Sequence, residues 1–357
     1  LKHFDEEEHF HSKDWKEFRK ERKLAQKLDR SKFKKTDKTV ILEKKTDEPL
    51  SRGKVLSIFK EGILVDLKTK QILCPMKGVL KKEVTQAKNV IAVGDWVQVT
   101  DAGAIHAIEP RTSILSRSDI SGRKEQLVAV NVDQIIVSAS ILNPPFKPAL
   151  IDRYLIAAEK GNIHPIIVIN KIDLLEDAPE EEKTRYEEFL KAYEPLGIPI
   201  LSVSAKTQVG IEALKSLLQD KTSVFAGQSG IGKSSLLNIC FDFNQKVGEL
   251  AVKTSKGAHT TSSATLLMLP EGGYCVDTPG IRSFSLWKLE KEDIISHFSE
   301  FFPFIPHCKY PDCSHRREPS CAVLKAIEEE KISPLRYESY LTLMEEIESG
   351  AIGKTWS

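Results

Sequence analysis

Ser223-Val224-Phe225-Ala226-Gly227-Gln228-Ser229-Gly230-Ile231-Gly232-Lys233-Ser234-Ser235-Leu236-Leu237-Asn238 is the stretch on which the fold turns. Ser223 to Ala226 reads as a short buried strand and Ser235 to Asn238 as the start of a helix, with G-x4-G-K-S between them. Glycines at 227, 230 and 232 let the backbone curl so that its N–H groups face phosphate oxygens, and the helix N-terminus adds a favourable dipole. The expected contact set is Gly227, Gln228, Ser229, Gly230, Ile231, Gly232, Lys233, Ser234 and Ser235. Lys233 reaches the β- and γ-phosphates, and the Ser234 hydroxyl ligates Mg²⁺.

Working outward, the chain around this loop alternates strand and helix. Gln134 to Ser140, Ile166 to Ile169 and Ile198 to Val203 read as buried strands, and 148–160, 179–192 and 211–218 as helices. Apolar runs at that spacing predict a parallel sheet covered by helices, with its ligand at the carboxyl ends of the strands. Two such ends carry base-reading strings. In Asn170-Lys171-Ile172-Asp173 the carboxylate of Asp173 can accept from guanine N1–H and its exocyclic amine, whereas adenine would leave it unpaired. In Ser204-Ala205-Lys206 the Ala205 N–H is placed to meet guanine O6, and the Lys206 stem to lie along the ring.

Asp277-Thr278-Pro279-Gly280 ends a further strand, Tyr274 to Val276. A second D-x-x-G, Asp119 to Gly122, lies in a polar loop and is set aside. Asp277 is expected to hold Mg²⁺ through water, and the Gly280 N–H to meet the γ-phosphate. Lys256 to Ser263 is polar and glycine-containing, the character of a switch segment, with Thr260 or Thr261 completing the magnesium sphere. The residue after Gly280 is Ile281, which cannot orient a water. His259 is the candidate for that task, or else a histidine that packs or caps its loop. Arg282 is either a phosphate contact or a surface arginine.

Two other regions differ in character. Between Arg52 and Glu109 five short β-like runs are punctuated by glycines at 53, 62, 78, 94 and 103, which suits a small barrel of the oligonucleotide-binding (OB) or SH3-like kind. Near the C-terminus, Cys308, Cys313, His315 and Cys321 form C-x4-C-x-H-x5-C. Three thiolates and an imidazole satisfy a structural zinc ion and leave no open position for catalysis. His307 is a competing ligand, and a reduced Cys-rich loop is the alternative. Cys74, Cys240 and Cys275 read as small buried hydrophobes.

The chain has 357 residues, two or three domains' worth, and 52 Lys+Arg against 51 Asp+Glu. That balance hides opposites. Residues 13–38 carry twelve basic and five acidic residues, interleaved with Trp15, Phe18 and Phe33, while 171–190 and 326–348 are acidic. The basic stretch is either a nucleic-acid arm or a solvated tail. No run of 18 apolar residues and no basic-then-apolar opening is present, so the expectation is a cytoplasmic protein with no membrane partner; a monomer is expected besides, though the sequence carries no signal of oligomeric state.

Along the chain the strings fall at 170, 204, 227, 260 and 277, whereas an ordinary GTPase begins with the phosphate loop. The order is a circular permutation. With a barrel in front and the cysteine cluster behind, the sequence over roughly residues 50 to 350 resembles the small-ribosomal-subunit biogenesis GTPase A family of bacteria. The resemblance implies a multidomain chain: an OB-fold β-barrel, an α/β circularly permuted P-loop GTPase domain and a small helical zinc-binding domain. The corresponding boundaries are a basic extension over 1–47, the barrel over 48–112, the GTPase domain over 113–290 and the zinc domain over 291–357. It further implies GTP as substrate, Mg²⁺, one structural Zn²⁺, a histidine in the switch segment, and a late-acting factor. That factor binds the small ribosomal subunit and its 16S rRNA and is stimulated by the subunit. Two other readings stand beside it: an RNA-binding nucleotide switch with little useful catalysis, and a related permuted GTPase acting on the large subunit.

Overall fold

The computed structural model describes residues 48–75, 91–118, 125–241, 264–277 and 290–349. The chain divides into two compact units, one holding the described residues 48–277 and the other 290–348.

In the first unit an antiparallel sheet comes first: β1 (Leu50–Ile58), β2 (Ile63–Asp66), β3 (Gln71–Cys74), β4 (Trp96–Thr100) and β5 (Ile105–Ile108). Its order is β3-β2-β1-β4-β5. β4 returns to pair with β1 rather than continuing beside β3, a Greek-key connection of the OB kind and not a simple meander. Inward residues alternate along the strands, and Val55, Ile63, Val65, Cys74, Val97, Val99, Ile105 and Ile108 make one core. A fully buried Val or Ile contributes about 1.5–3 kcal/mol, so the seven here, with Cys74 among them, sustain a small barrel.

A hairpin follows, β6 (Ile114–Ser118) with β7 (Glu125–Val130). The polar stretch between them reads as loop in the sequence, and these short flanking strands were not expected.

The second sheet holds β8 (Gln134–Ser140), β9 (His164–Asn170), β10 (Ile200–Ser202), β11 (Thr222–Gly227), β12 (Thr265–Met268) and β13 (Tyr274–Asp277), in the order β10-β9-β8-β11-β13-β12. All neighbours are parallel except β12, which runs antiparallel to β13. Helices α1 (Pro148–Gly161), α2 (Glu180–Tyr193), α3 (Ile211–Leu218) and α4 (Lys233–Phe241) lie where periodicity places them. Ile136, Ile166, Val168 and Phe225 pack with Leu214, Leu218, Leu236 and Phe241 of α3 and α4. The alternating residues Ile135, Val137, Ile167, Ile169 and Val224 are buried too, so both faces are covered. Chain order reverses between β8 and β11, and the phosphate loop leaves β11 at that switch point.

The second unit contains α5 (Lys291–His297), α6 (Ala322–Glu328) and α7 (Pro334–Glu348). Phe298, Phe301 and Tyr340 are fully buried with ring centroids 5.2–5.5 Å apart. Arg336, 1% exposed, is compensated by Glu300 at 2.6 Å and by the Phe298 face at 4.3 Å. The acidic stretch 326–348 spans the end of α6 and all of α7, and α7 lays Tyr337 and Tyr340 onto the cysteine loop.

Candidate nucleotide site and metal centre

The phosphate loop is shaped by two close approaches. Gly227 has φ +139°, and a Cβ there would meet Ser138 O at 2.2 Å. Gly232 has φ +93°, and a Cβ would meet Asn170 Nδ2 at 2.5 Å. Left-handed residues at 230 and 232 alternate with Ser229 and Ile231, the pattern that turns successive N–H groups into an anion nest. Lys233 opens α4, its ammonium donating to Gly227 O and Gln228 O at 2.7 Å each. Ser234 and Ser235 are exposed at the helix N-terminus, and Ile231 is buried beneath the loop.

Asn170, at the end of β9 and 1% exposed, ties three loops together. Its Nδ2 donates to Ile231 O at 2.8 Å, and its Oδ1 accepts from Ala205 N at 3.1 Å. The Ala205 N–H assigned from sequence to guanine O6 is therefore spent on Asn170 in this structure. Lys171, at φ +63°, donates to Gly230 O at 2.8 Å and to Asn143 O. Thr207 N donates to Ser204 Oγ at 3.0 Å, and Ser204 donates to Asp173 Oδ1 at 2.6 Å. That relay orients the Asp173 carboxylate while leaving its second oxygen and remaining lone pairs for a ligand. Lys206 is exposed in the adjoining turn.

β13 ends at Asp277, beside β11 in the sheet. His259, Thr260, Thr261, Gly280, Ile281 and Arg282 lie outside the described residues, as do the Asp119 to Gly122 string and the basic segment 1–47.

In the second unit the ligand atoms of Cys308, Cys313, His315 and Cys321 all lie within 4.8 Å of one another, and all four residues are buried. Zn–S bonds of about 2.3 Å and a Zn–N bond of about 2.0–2.1 Å at tetrahedral angles require S···S of about 3.8 Å and S···N of about 3.6 Å. The observed separations are 3.9 Å for Cys308–Cys321 and 3.6 Å from each of these sulfurs to His315 Nδ1. The four residues fit the ion. His307 is exposed and outside the cluster, which removes it as the competing ligand. Burial pushes the Cys308 and Cys313 thiols up and the His315 imidazole down; a dication at their centre favours the thiolates. The loop between ligands is held by Glu318, which accepts from Ser314 N, Ser314 Oγ, Arg316 N and Arg317 N. Burial, the largest influence on Glu318, raises its pKa, and these hydrogen bonds together bring it well below the usual carboxylate range.

Sequence reading did not find Asn143 as a partner of Lys171, nor Lys54, Asp66 and Tyr274 where the barrel meets the second sheet. Lys54 Nζ donates to Thr222 Oγ1 at 2.5 Å, at the base of β11. These partners are distant in sequence and carry no motif.

A phosphate loop at the switch point of a mostly parallel sheet, with the Asn170–Asp173 and Ser204–Lys206 strings at strand ends two and three strands away, defines a P-loop GTPase in circularly permuted order. A family model described as RsgA GTPase matches residues 108–287. A protein named small ribosomal subunit biogenesis GTPase RsgA, from Chlorobaculum parvum, is 41% identical over 277 residues, covering 74% of this chain and 87% of that one. Its namesake from Shewanella oneidensis is 42% identical over 299 residues, 82% of each. The crystal structure of YjeQ from Thermotoga maritima aligns with TM-score 0.65 and 34% identity, over 84% of this chain and 98% of that chain. That of YloQ, described as a circularly permuted GTPase, aligns with TM-score 0.62 and 29% identity over 84% and 96%. This chain belongs to the RsgA GTPase family and is accordingly a GTP hydrolase. No helix among the described residues is long and apolar enough to cross a membrane.

Proposed function

We propose that the chain is a cytoplasmic, monomeric GTPase that binds the small ribosomal subunit through its 16S rRNA and acts in late maturation. Binding stimulates hydrolysis, and hydrolysis times release. The relatives' names, on proteins that this chain spans over more than four-fifths of their length, support the assembly target. The observation that carries the nucleotide reading is Asn170, whose one side chain couples the phosphate loop to the base-reading turn. The domain boundaries follow the barrel over 48–112, the GTPase domain over 113–290 and the zinc domain over 291–357, after a basic extension over 1–47.

In this reading Asp173, oriented by Ser204, accepts from guanine N1–H and the 2-amino group, with Ala205 and Lys206 beside the base. Gly227 to Ser235 cradle the phosphates, and Lys233 neutralises the β- and γ-oxygens. Ser234, Thr260 or Thr261, and Asp277 through water would offer the hard oxygen donors that suit Mg²⁺, and the ion would neutralise charge on the β- and γ-phosphates. Water attacks the γ-phosphorus while the bond to the β–γ bridging oxygen breaks, yielding GDP and phosphate. The Gly280 N–H steadies a γ-oxygen and His259 orients the attacking water, a task Ile281 cannot perform. Zinc at Cys308, Cys313, His315 and Cys321 cross-links a loop with few core residues of its own.

The test is GTP and ATP turnover by the full chain alone, with purified small subunits and with large subunits. Acceleration of GTP turnover by small subunits alone is expected. Turnover unchanged by either subunit favours the non-catalytic RNA-binding switch, and acceleration by large subunits overturns the assignment of target.

A further inference from the structure

Residues 141–147 connect β8 to α1 and carry none of the nucleotide-binding motifs. Both ends of this loop are anchored. Ser140 Oγ donates to Pro144 O at 3.1 Å. Phe146 is buried and meets Phe189 edge-on at 4.8 Å, and Phe189 stacks on Tyr193 at 4.2 Å. Between the anchors Asn143 has φ +48° and an exposed side chain, and its carbonyl oxygen accepts from the Lys171 ammonium. Lys171 also donates to Gly230 O at 2.8 Å. Pro144 Cδ lies 3.7 Å from the position a Cβ on Gly230 would take. An ammonium has three donors, so two of those on Lys171 are committed to carbonyls from two different loops.

We propose that Asn143 is a positioning residue of the nucleotide site: its left-handed backbone aims a carbonyl that, together with Gly230 O, locks Lys171 as a bridge between the base-reading and phosphate loops. The inference rests on the guanine-nucleotide reading above and extends it to a residue outside every motif. Asparagine suits the position because it tolerates the left-handed region, whereas alanine and still more valine favour negative φ and would swing the carbonyl away. Glycine keeps the conformation and therefore the carbonyl. Losing this contact leaves Lys171 with one fixed partner, while the Asn170–Ile231 and Ser204–Asp173 bonds remain. The effect falls on binding of GDP and GTP alike and not on the chemical step.

The experiment uses the full chain with a methylanthraniloyl-labelled GDP probe and steady-state GTP turnover. Asn143→Gly, Asn143→Ala and Asn143→Val are compared with the native chain, and each is repeated in a Lys171→Met background. The alanine and valine variants are expected to raise Kd for the probe and KM for GTP about tenfold with kcat within about twofold, and the glycine variant to stay within about twofold of native. With Lys171→Met present, the differences among residues at 143 disappear. Native-like binding by both Asn143→Ala and Asn143→Val, a glycine variant as weak as valine, or a tenfold loss that persists in the Lys171→Met background would each overturn the proposal. A native chain that binds ADP as tightly as GDP overturns the guanine reading instead, and the comparison at 143 is then read with a labelled ADP.

Discussion

The hydroxyl of Tyr274, three residues before Asp277 on β13, donates to the buried Asp66 carboxylate of the barrel at 2.7 Å. The same carboxylate accepts from Lys68 N at 2.9 Å. Burial, then the hydrogen bond and charge of Asp66, push the Tyr274 phenol well above its ordinary range, so it stays a donor at physiological pH. A barrel residue thus grips the strand that ends at Asp277. Tyr274→Phe leaves Asp66 buried with one fewer donor, and a loss of about 1–3 kcal/mol is expected from chemical denaturation of the full chain. An unchanged midpoint would show that the contact contributes nothing net.

Lys54 supplies the second grip. It is 3% exposed, donates to Thr222, and lies 5.0 Å and 4.8 Å from the Trp96 and Tyr274 ring centroids. Burial lowers its pKa from 10.5 to about 8, against the pull of Asp133 and with a further push from Arg52. Between these values the unfolded chain holds more protons than the folded one, so stability rises with pH across that window, and the desolvation cost is fully present below about 8. Relative to Lys54→Met, the native chain should gain up to about 3 kcal/mol between pH 8 and 10.5. Parallel stability profiles for the two chains would rule the shift out.

The cysteine cluster predicts one zinc ion per chain by elemental analysis. Cys321→Ser should abolish it, and a strong chelator should lower the melting temperature of the native chain but not of that variant. Full zinc content in the variant would exclude Cys321 as a ligand.

His259→Ala should reduce subunit-stimulated GTP turnover by about two orders of magnitude while GTP affinity stays within about twofold. Equal loss of affinity would point to a binding role, and unchanged stimulated turnover would end the proposal for this histidine.

The parts of the fold legible in the sequence are those written locally. Strand-to-helix transitions at Gly227 and Asn170, and the glycine-punctuated runs of the barrel, announce themselves through neighbours a few residues away. The β6–β7 hairpin escaped notice because the polar residues between its strands mask two short pairing segments. Lys54 escaped for another reason: a lysine in a strand reads as a surface residue until its partner Thr222, 168 residues on, comes into view.

By itself the sequence determined the motifs and their order: the phosphate-loop string, the Asn170–Asp173 string, the three cysteines with His315, and a permuted arrangement starting at residue 170. Those follow from residue type and spacing, which short-range backbone geometry translates directly into structure. Only the tertiary structure decided which carbonyls receive Lys171, where the Ala205 amide goes, that His315 and not His307 joins the three thiols, and that Asp66 meets Tyr274 across 208 residues. Such pairings depend on strand register and on which faces pack together, and those are settled by the cooperative burial of the whole core, not by any local segment.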